Sequence, residues 1–599
     1  MEEESMSDVH IHIGEMLARN GRMYRDYTAL IERIPEQEKR SVITWGQFDE
    51  GANRFAHALM ARGIRKGNKV MHLMYNSIEW LITYFGIVKT GAWVIPLNFR
   101  FTSSDIRYCS DVAEPDIIVF GEEFADRISA VKNQLLSVKH FVCAGNEIPP
   151  YAESFSGLMT KAPSEPPGVE ITFADPCALY FTSGTTGQPK PILLTHLNMA
   201  NAAITESIHH SLAKKDLFIL IPPLYHTGVK MLWLGSLIVG GATVLLRGVS
   251  PRWTLEAVSE EGATVVSLLK PWAQDMLLKL DSGELKLQDY KLAQWRLMHT
   301  GAQPIPASLI RHWKRYFPDM AYDDTYGLGE SGGPNAVHLG IENIHKVGAI
   351  GVPGFNWETR AVDEEGHDVV RGQPGELILR GNGVMREYYK NPEATAQALR
   401  DGWLYTGDIV RQDEDNFLFI VDRKKDVIIT GGENVFPVEI EDFLHANPNI
   451  KDAAAIGLPD ERLSEIVAVI ITVTPGKTLT EEDVFTFCAK LPKYKRPRKI
   501  FFGDVPRNPT GKIEKPPIRA EIIKPQAVLF WIDFIDQALL ENHPVRRVHN
   551  ALEDRILHSL PVVETCLRDT IQTTRTSRVF RRDIIAHQHE HLIPLPISR

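Results

Sequence analysis

From about residue 40 to residue 350, short β-rich apolar runs alternate with stretches whose apolar positions recur at helical spacing. The runs are VMHLMYN from Val70, AWVIPLN from Ala92, DIIVF from Asp116, LFILIPPLYH from Leu217, ATVLLRG from Ala242 and TVVSLL from Thr264. This alternation predicts an α/β architecture of βα units around doubly covered, mixed to largely parallel sheets. Near Gly348 the texture changes to short strands and turns, including GELILRG and DNFLFIVD, which predicts a smaller β-rich lobe. After Arg423, AAAIGLPD, EIVAVIITV and KIFFGDVP are separated by helical stretches such as PVEIEDFLHAN, predicting a small α+β domain of about 100 residues. The expected units are a large N-terminal domain, 1–422, a C-terminal domain, 423–520, and an extension, 521–599, rich in His and Arg without a clean period. No role is assigned to that extension.

Composition narrows the function classes. The chain has 599 residues, 44% hydrophobic and 24% charged, which is ordinary globular usage on a length that calls for more than one core. A net charge of -10 gives no electrostatic case for nucleic acid, which needs a clustered basic surface. The five cysteines lack CxxC spacing, so neither a zinc site nor a disulfide framework is indicated and a reducing compartment fits. The opening MEEESMSDVHIH is acidic where a signal peptide is basic and then apolar, and no uncharged run approaches the roughly 18 residues of a membrane helix. A cytoplasmic location without a transmembrane segment is expected. Peripheral membrane contact and a homodimer stay open.

The candidate chemistry begins at YFTSGTTGQPKPILLTH, from Tyr180 to His196. CALYFTS reads as a strand and HLNMANAAITESIHH as a helix, so the loop is expected between a strand end and a helix start, where backbone N–H groups and the helix dipole favour anions. Gly184 and Gly187 allow close approach of the backbone to a ligand. Thr182, Ser183, Thr185 and Thr186 supply hydroxyls, and Lys190 supplies a mobile positive charge. The glycine and lysine spacing is not that of a Walker A loop. On these residues alone, a polyphosphate site and a Ser/Thr/Gly surface turn both remain open.

The same stretch resembles YTSGTTGxPKGV, the signature of the adenylate-forming superfamily of acyl-CoA synthetases, adenylation domains and luciferases. The similarity continues in order through PLYHTG at 223–228, TGAQPI from Thr300, YGLGES from Tyr326, GWLYTGD from Gly402, DRKKDVIITGGENVFPVEIE from Asp422 and PRNPTGKI from Pro506. The resemblance implies an acyl-CoA synthetase of the AMP-forming, fatty-acid-CoA ligase type. A carboxylate would attack the α-phosphate of ATP, pyrophosphate would leave, and the thiol of CoA would displace AMP from the acyl-adenylate.

It also implies roles at matching positions. The 182–190 loop would wrap the β- and γ-phosphates, and Glu330 would hold Mg²⁺. Gly301, Ala302, Gln303, Tyr326 and Gly327 would enclose the adenine, while Asp408 and Arg423 would contact the ribose. Lys512 would bridge the substrate carboxylate and the α-phosphate. The C-terminal domain would rotate about a hinge at Lys425, bringing Gly431 and Gly432 to the thiol tunnel. His226 would lie beside the acyl carboxylate, with Thr227, Val229 and Met231 lining the acyl pocket. The resemblance gives Lys230 no role, and it is read as pointing to solvent.

Two departures from the pattern bear on function. Pro191 stands where the family has Gly and is expected to stiffen the loop's exit without disturbing phosphate binding. Gly329 stands where the family has Thr, so a hydroxyl expected at the α-phosphate is missing unless Ser331 or a water substitutes. Transfer to a carrier-protein thiol is an alternative to CoA. Gly329 motivates a further alternative, a catalytically weak nucleotide- or acyl-binding regulator.

Overall fold

The computed structural model describes residues 12–182, 189–301, 305, 307–338, 345–431, 433–460, 462–507, 513–515 and 518–519, apart from the side chains of Met231 and Leu232. Two large sheets dominate the N-terminal domain. The first is eight-stranded and runs, in spatial order, Glu387–Tyr388, Lys190–Thr195, Pro176–Thr182, Trp93–Pro96, Lys69–Leu73, Ile117–Gly121, His140–Ala144 and Glu153–Ser154. From Pro176–Thr182 outward to Glu153–Ser154 its pairs are parallel; Lys190–Thr195 and Glu387–Tyr388 add antiparallel pairs at the other edge.

The second sheet is nine-stranded, with Ala321–Tyr326, Leu297–Gly301, Val265–Ser267, Leu217–Leu220, Ala242–Leu246 and Thr28–Ile34 adjacent and parallel. Each apolar run of the sequence thus became a strand. Successive residues of a strand face opposite sides, so an uninterrupted apolar run needs cover on both. Val70 and Leu245 enter a central core shared by both sheets, which also holds Phe48, Phe85, Met199 and Trp233 from helices Trp45–Ala61, Ile78–Lys89, His196–His209 and Lys230–Val239. Met71 and Val244, their chain neighbours, enter separate cores on the far faces.

The β lobe pairs Trp357–Val362, Gly375–Gly381, Trp403–Gln412 and Leu418–Arg423 antiparallel. The smaller C-terminal domain packs Pro437–His445 and Glu481–Cys488 against strands that include Ile450–Asp460, Ser464–Val473 and Lys499–Phe502, around its own apolar core. No helix among the described residues is long and apolar enough to cross a membrane.

One element was not read from the sequence. The helix starts at His196 as expected, but Lys190–Thr195, left within the connection, is a strand that pairs antiparallel with Pro176–Thr182, placing Thr182 opposite Lys190 and Phe181 opposite Pro191. The loop is therefore a hairpin connection. The helix begins at His196, where the Thr195 side chain caps it by accepting from the Asn198 backbone N–H, six residues beyond Lys190. Pro191 is the second residue of the strand. Its carbonyl accepts from the Tyr389 backbone N–H at 2.9 Å.

Candidate active site

The hairpin carries Thr182 and Lys190 at its base; Ser183, Gly184, Thr185, Thr186 and Gly187 lie outside the described residues. Tyr388 pairs with Ile192 on the neighbouring edge strand, which sets its ring under the hairpin. The Lys190 ammonium stands 5.4 Å from the centre of that ring, and the Tyr388 hydroxyl donates to Glu330 Oε1 at 2.8 Å. Burial, with Glu330 adding to it, pushes the Tyr388 phenol well above its ordinary range. Tyr388 therefore joins the loop lysine to the acidic residue of YGLGES. Sequence reasoning missed it, since its only signal was the doubled tyrosine of REYYKN.

Gly329 sits where three segments meet. A Cβ there would come within 2.6 Å of Thr182 Cγ2 and 2.9 Å of Ile192 Cδ1, and within 3.5 Å of Thr227 Oγ1. The glycine is thus a packing requirement of this chain, because the hairpin base occupies the space a side chain would need. Ser331 does not stand in for the missing hydroxyl: it is fully buried, accepts from the Leu328 backbone N–H at 3.0 Å and lies 2.5 Å from Asn335 Oδ1, so its bonding is spent inside the turn. Thr227 is 8% exposed. His226, half-buried beside it, accepts from the Gly228 N–H at 3.2 Å through Nδ1, and Val229 is a buried residue at the N-terminus of helix Lys230–Val239.

Lys230 does not reach solvent. It is fully buried, and its ammonium donates to the Thr227 carbonyl at 3.0 Å and to the Gly332 carbonyl at 2.9 Å. With no carboxylate to offset it, burial brings its pKa down to about 7. The lysine ties the segment of His226 and Thr227 to the segment of Glu330.

The opposite corner is built on a strand ladder. Asp408 and Arg423 are register partners on adjacent antiparallel strands, so their side chains leave the same face of the sheet. Arg423 Nε lies 2.5 Å from Asp408 Oδ1, and the Tyr326 hydroxyl donates to Asp408 Oδ2 at 2.6 Å. Burial works against the guanidinium's charge, but Asp408, and after it Tyr326 and Glu330, hold its pKa above the ordinary value. Burial and Asp408 push the Tyr326 phenol well above its own. Arg423 feels Glu330 as well as Asp408, so the two groups of residues lie near one another.

Gly301 ends its strand so close to Thr325 that a Cβ would lie 2.7 Å from the Thr325 carbonyl oxygen. Ala302 and Gln303 fall outside the described residues, and Gly327 is exposed. Beside Gly301, Asp324 pairs in register with Thr300. Burial, reinforced by Asp323, pushes the Asp324 carboxyl well above the ordinary range. The buried Thr300 hydroxyl has no partner among the described residues. Neither residue was singled out in the sequence; the available signal was DDTY immediately before Gly327.

The mobile-domain candidates are less gathered. Lys425 is exposed in the turn after Leu418–Arg423, and Gly431 adopts φ +60° with its N–H bonded to the Leu463 carbonyl at 2.8 Å. Gly432 and Lys512 lie outside the described residues, as does the side chain of Met231. The chain on either side of Lys512 is anchored: Arg507 bridges to Ile513, and the Arg507 guanidinium holds Asp452 through two contacts of 2.7 Å.

The chain is also similar to known proteins. The profile of the AMP-binding enzyme family matches residues 17–389, and that of the AMP-binding enzyme C-terminal domain matches 439–512. A feruloyl-CoA synthase of Amycolatopsis sp is 29% identical over 513 residues, covering 85% of this chain and 98% of that protein. The long-chain-fatty-acid–CoA ligase FadD13 of Mycobacterium tuberculosis is 30% identical over 515 residues with the same coverage. The crystal structure of the anthranilate CoA ligase AuaEII in complex with anthranoyl-AMP superposes with a TM-score of 0.79 at 26% identity, covering 86% of this chain and 98% of that one. With the family profile spanning more than half of its length, this chain belongs to the AMP-binding enzyme family.

Proposed function

We propose that the protein is an AMP-forming acid–thiol ligase that activates an organic carboxylic acid with ATP and passes the acyl group to CoA. A carboxylate oxygen bonds to the α-phosphorus as the bond to the β-phosphate breaks, and pyrophosphate leaves. The CoA sulfur then bonds to the acyl carbonyl carbon, the acyl–phosphate bond breaks, AMP leaves, and the thiol proton is released. The first step brings two anions together, so catalysis consists mainly of holding them and offsetting their charge. The observation that carries this reading is the pair of contact chains Lys190–Tyr388–Glu330 and Tyr326–Asp408–Arg423, with Arg423 also within the field of Glu330.

Within that reading the 182–190 loop and Lys190 hold the outer phosphates. Asp408, accepting from Tyr326 and paired with Arg423, receives the ribose hydroxyls. Glu330 suits Mg²⁺: it offers an oxygen donor to a hard cation that binds through one or two carboxylates plus substrate phosphates. When bound, the ion would offset phosphate charge. His226, Val229 and Met231 face the acyl moiety, and Lys512, carried on the loop closed by Arg507 and Ile513, reaches the reacting carboxylate. Lys425 serves as the hinge, and Gly431 and Gly432 line the approach of the thiol. A cytoplasmic setting is supported by Cys109, Cys143, Cys177 and Cys488, all buried and free.

The deciding experiment measures AMP release with ATP and Mg²⁺ over a panel containing ferulate, anthranilate, indoleacetate and long-chain fatty acids, with and without CoA. Release that requires both an acid and CoA is expected. Tight ATP binding without turnover on any acid would instead mark a nucleotide-binding regulator.

A further inference from the structure

We propose that Asp422 is a positioning residue of the acid-activating step: its carboxylate reaches across the hinge at Lys425 and holds the C-terminal domain in the orientation that serves Lys512. This rests on the acid-activation reading, which supplies the hinge and the role of Lys512 but gives Asp422 none. The tether is visible at the start of helix Pro437–His445. The proline at its first position has no N–H and Phe436 before it makes no side-chain cap, so the first donor of the helix is the Val438 N–H. That N–H donates to Asp422 Oδ2 at 3.0 Å, although the two residues are 16 apart and lie on opposite sides of the hinge. The Arg423 N–H donates to Asp422 Oδ1 at 2.6 Å, so both oxygens are engaged, and Asp422 is 2% exposed. A carboxylate is favoured at a helix N-terminus, and a cap supplied from another domain is lost when the two domains turn apart.

The same cluster holds the chain that flanks Lys512. Lys515 is buried, and its ammonium lies 2.9 Å from Glu441 Oε1 of that helix. Burial works against its charge, but Glu441, and after it Asp422, hold its pKa above the ordinary value. On the other flank, Arg507 is held by Asp452 and bridged to Ile513. The N-terminal domain meets this flank at the buried Lys270, whose pKa is lowered by burial and by Arg507 while Asp452 opposes the shift. Lys270 opens its helix just after strand Val265–Ser267, which runs parallel to the strand ending at Gly301. Ligands of such sheets bind beyond the C-terminal ends of the parallel strands. The described residues around Lys512 are thus fastened to the Asp422 cluster on one side and stand beside the site-bearing edge of the sheet on the other.

The test separates the two half-reactions with Asp422→Leu, which keeps the branched shape and removes the acceptor, beside Asp422→Asn, which keeps one acceptor oxygen. It uses the acid that gives the highest AMP release and the synthetic acyl-adenylate of that acid. Asp422→Leu is expected to slow acid-dependent ATP–pyrophosphate exchange about tenfold, while thioester formation from the supplied acyl-adenylate and CoA stays within about threefold of wild type. Asp422→Asn is expected to keep exchange within about threefold of wild type. Exchange by Asp422→Leu at the wild-type rate, an equal loss in both half-reactions, or Asp422→Asn as slow as Asp422→Leu would each overturn the proposal. If Asp422→Leu is not folded, as judged by its thermal midpoint, Asp422→Ala against Asp422→Asn makes the same decision. Absence of exchange in the wild-type protein with every acid would overturn the acid-activation reading too, whereas active wild type with an unaffected Asp422→Leu would remove this inference alone.

Discussion

At one corner of the cleft Asp408 and Arg423 face each other as register partners on adjacent strands. At the other, Thr227 meets Gly329 with no strand pairing between them, and the bolt across that junction joins Lys230 to Gly332, 102 residues apart. The first corner pairs a carboxylate with a guanidinium. The second neutralises nothing: a buried ammonium leans on two backbone carbonyls and stays near the edge of protonation. A ladder sets geometry through the backbone, so the side chains are free to carry charge to a ligand. A junction without a ladder needs side chains spent on holding it.

The largest expected effect breaks the charged corner. Asp408→Ala leaves the Arg423 guanidinium without its partner and Tyr326 without its acceptor, and should lower kcat/KM for ATP by about 100-fold or more. A fall of less than tenfold would show that the ladder pair is not what holds the nucleotide. Next, Gly329→Ala places a methyl group against Thr182 Cγ2 and should slow exchange by about tenfold, within the usual range for overpacking. Adding Thr182→Ser removes the clashing atom, while Ile192 Cδ1 is a side-chain end that can shift, so the double variant should regain most of the rate. No recovery would rule out steric exclusion as the reason for the glycine.

The uncharged character of the second corner can be read through pH. The Lys230 pKa is brought down to about 7 in the folded chain from the ordinary 10.5. Between those values the unfolded chain binds the proton and the folded chain does not, so stability rises with pH across that window, by at most about 1.4 kcal/mol per pH unit. Lys230→Met should lose this contribution, seen as a flatter dependence of the denaturant midpoint from pH 7 to 9. Equal slopes in the two proteins would refute a depressed pKa. The smallest effect is expected from Tyr388→Phe, which keeps the ring beneath Lys190 and removes the hydroxyl from Glu330. Exchange should fall about 3- to 10-fold, since water can reach the half-buried carboxylate and replace part of the lost bond. An unchanged rate would remove Tyr388 from the site.

Legibility followed the same division. The runs beginning VMHLMYN and ATVLLRG were readable as strands because parallel, doubly covered strands are apolar throughout. Lys190–Thr195 was not, because proline and a hydroxyl-rich loop before a capped helix look like a helix approach, and part of what makes it a strand is pairing with Glu387–Tyr388, far along the chain. Asp408 and Arg423 were legible through local motifs that the ladder then brought together. Lys230 was misread, because a lysine at the first turn of a helix normally reaches water. Tyr388 and Asp324 carried no local signal that set them apart.

The sequence alone therefore determined the family, the alternation of strands and helices and most of the residues of the candidate site, because these depend on short-range pattern and on motifs that keep their own spacing. The tertiary structure decided why residue 329 is a glycine and where Lys230 goes. Each of those depends on which atoms a distant segment places within 3 or 4 Å, and no local spacing encodes that.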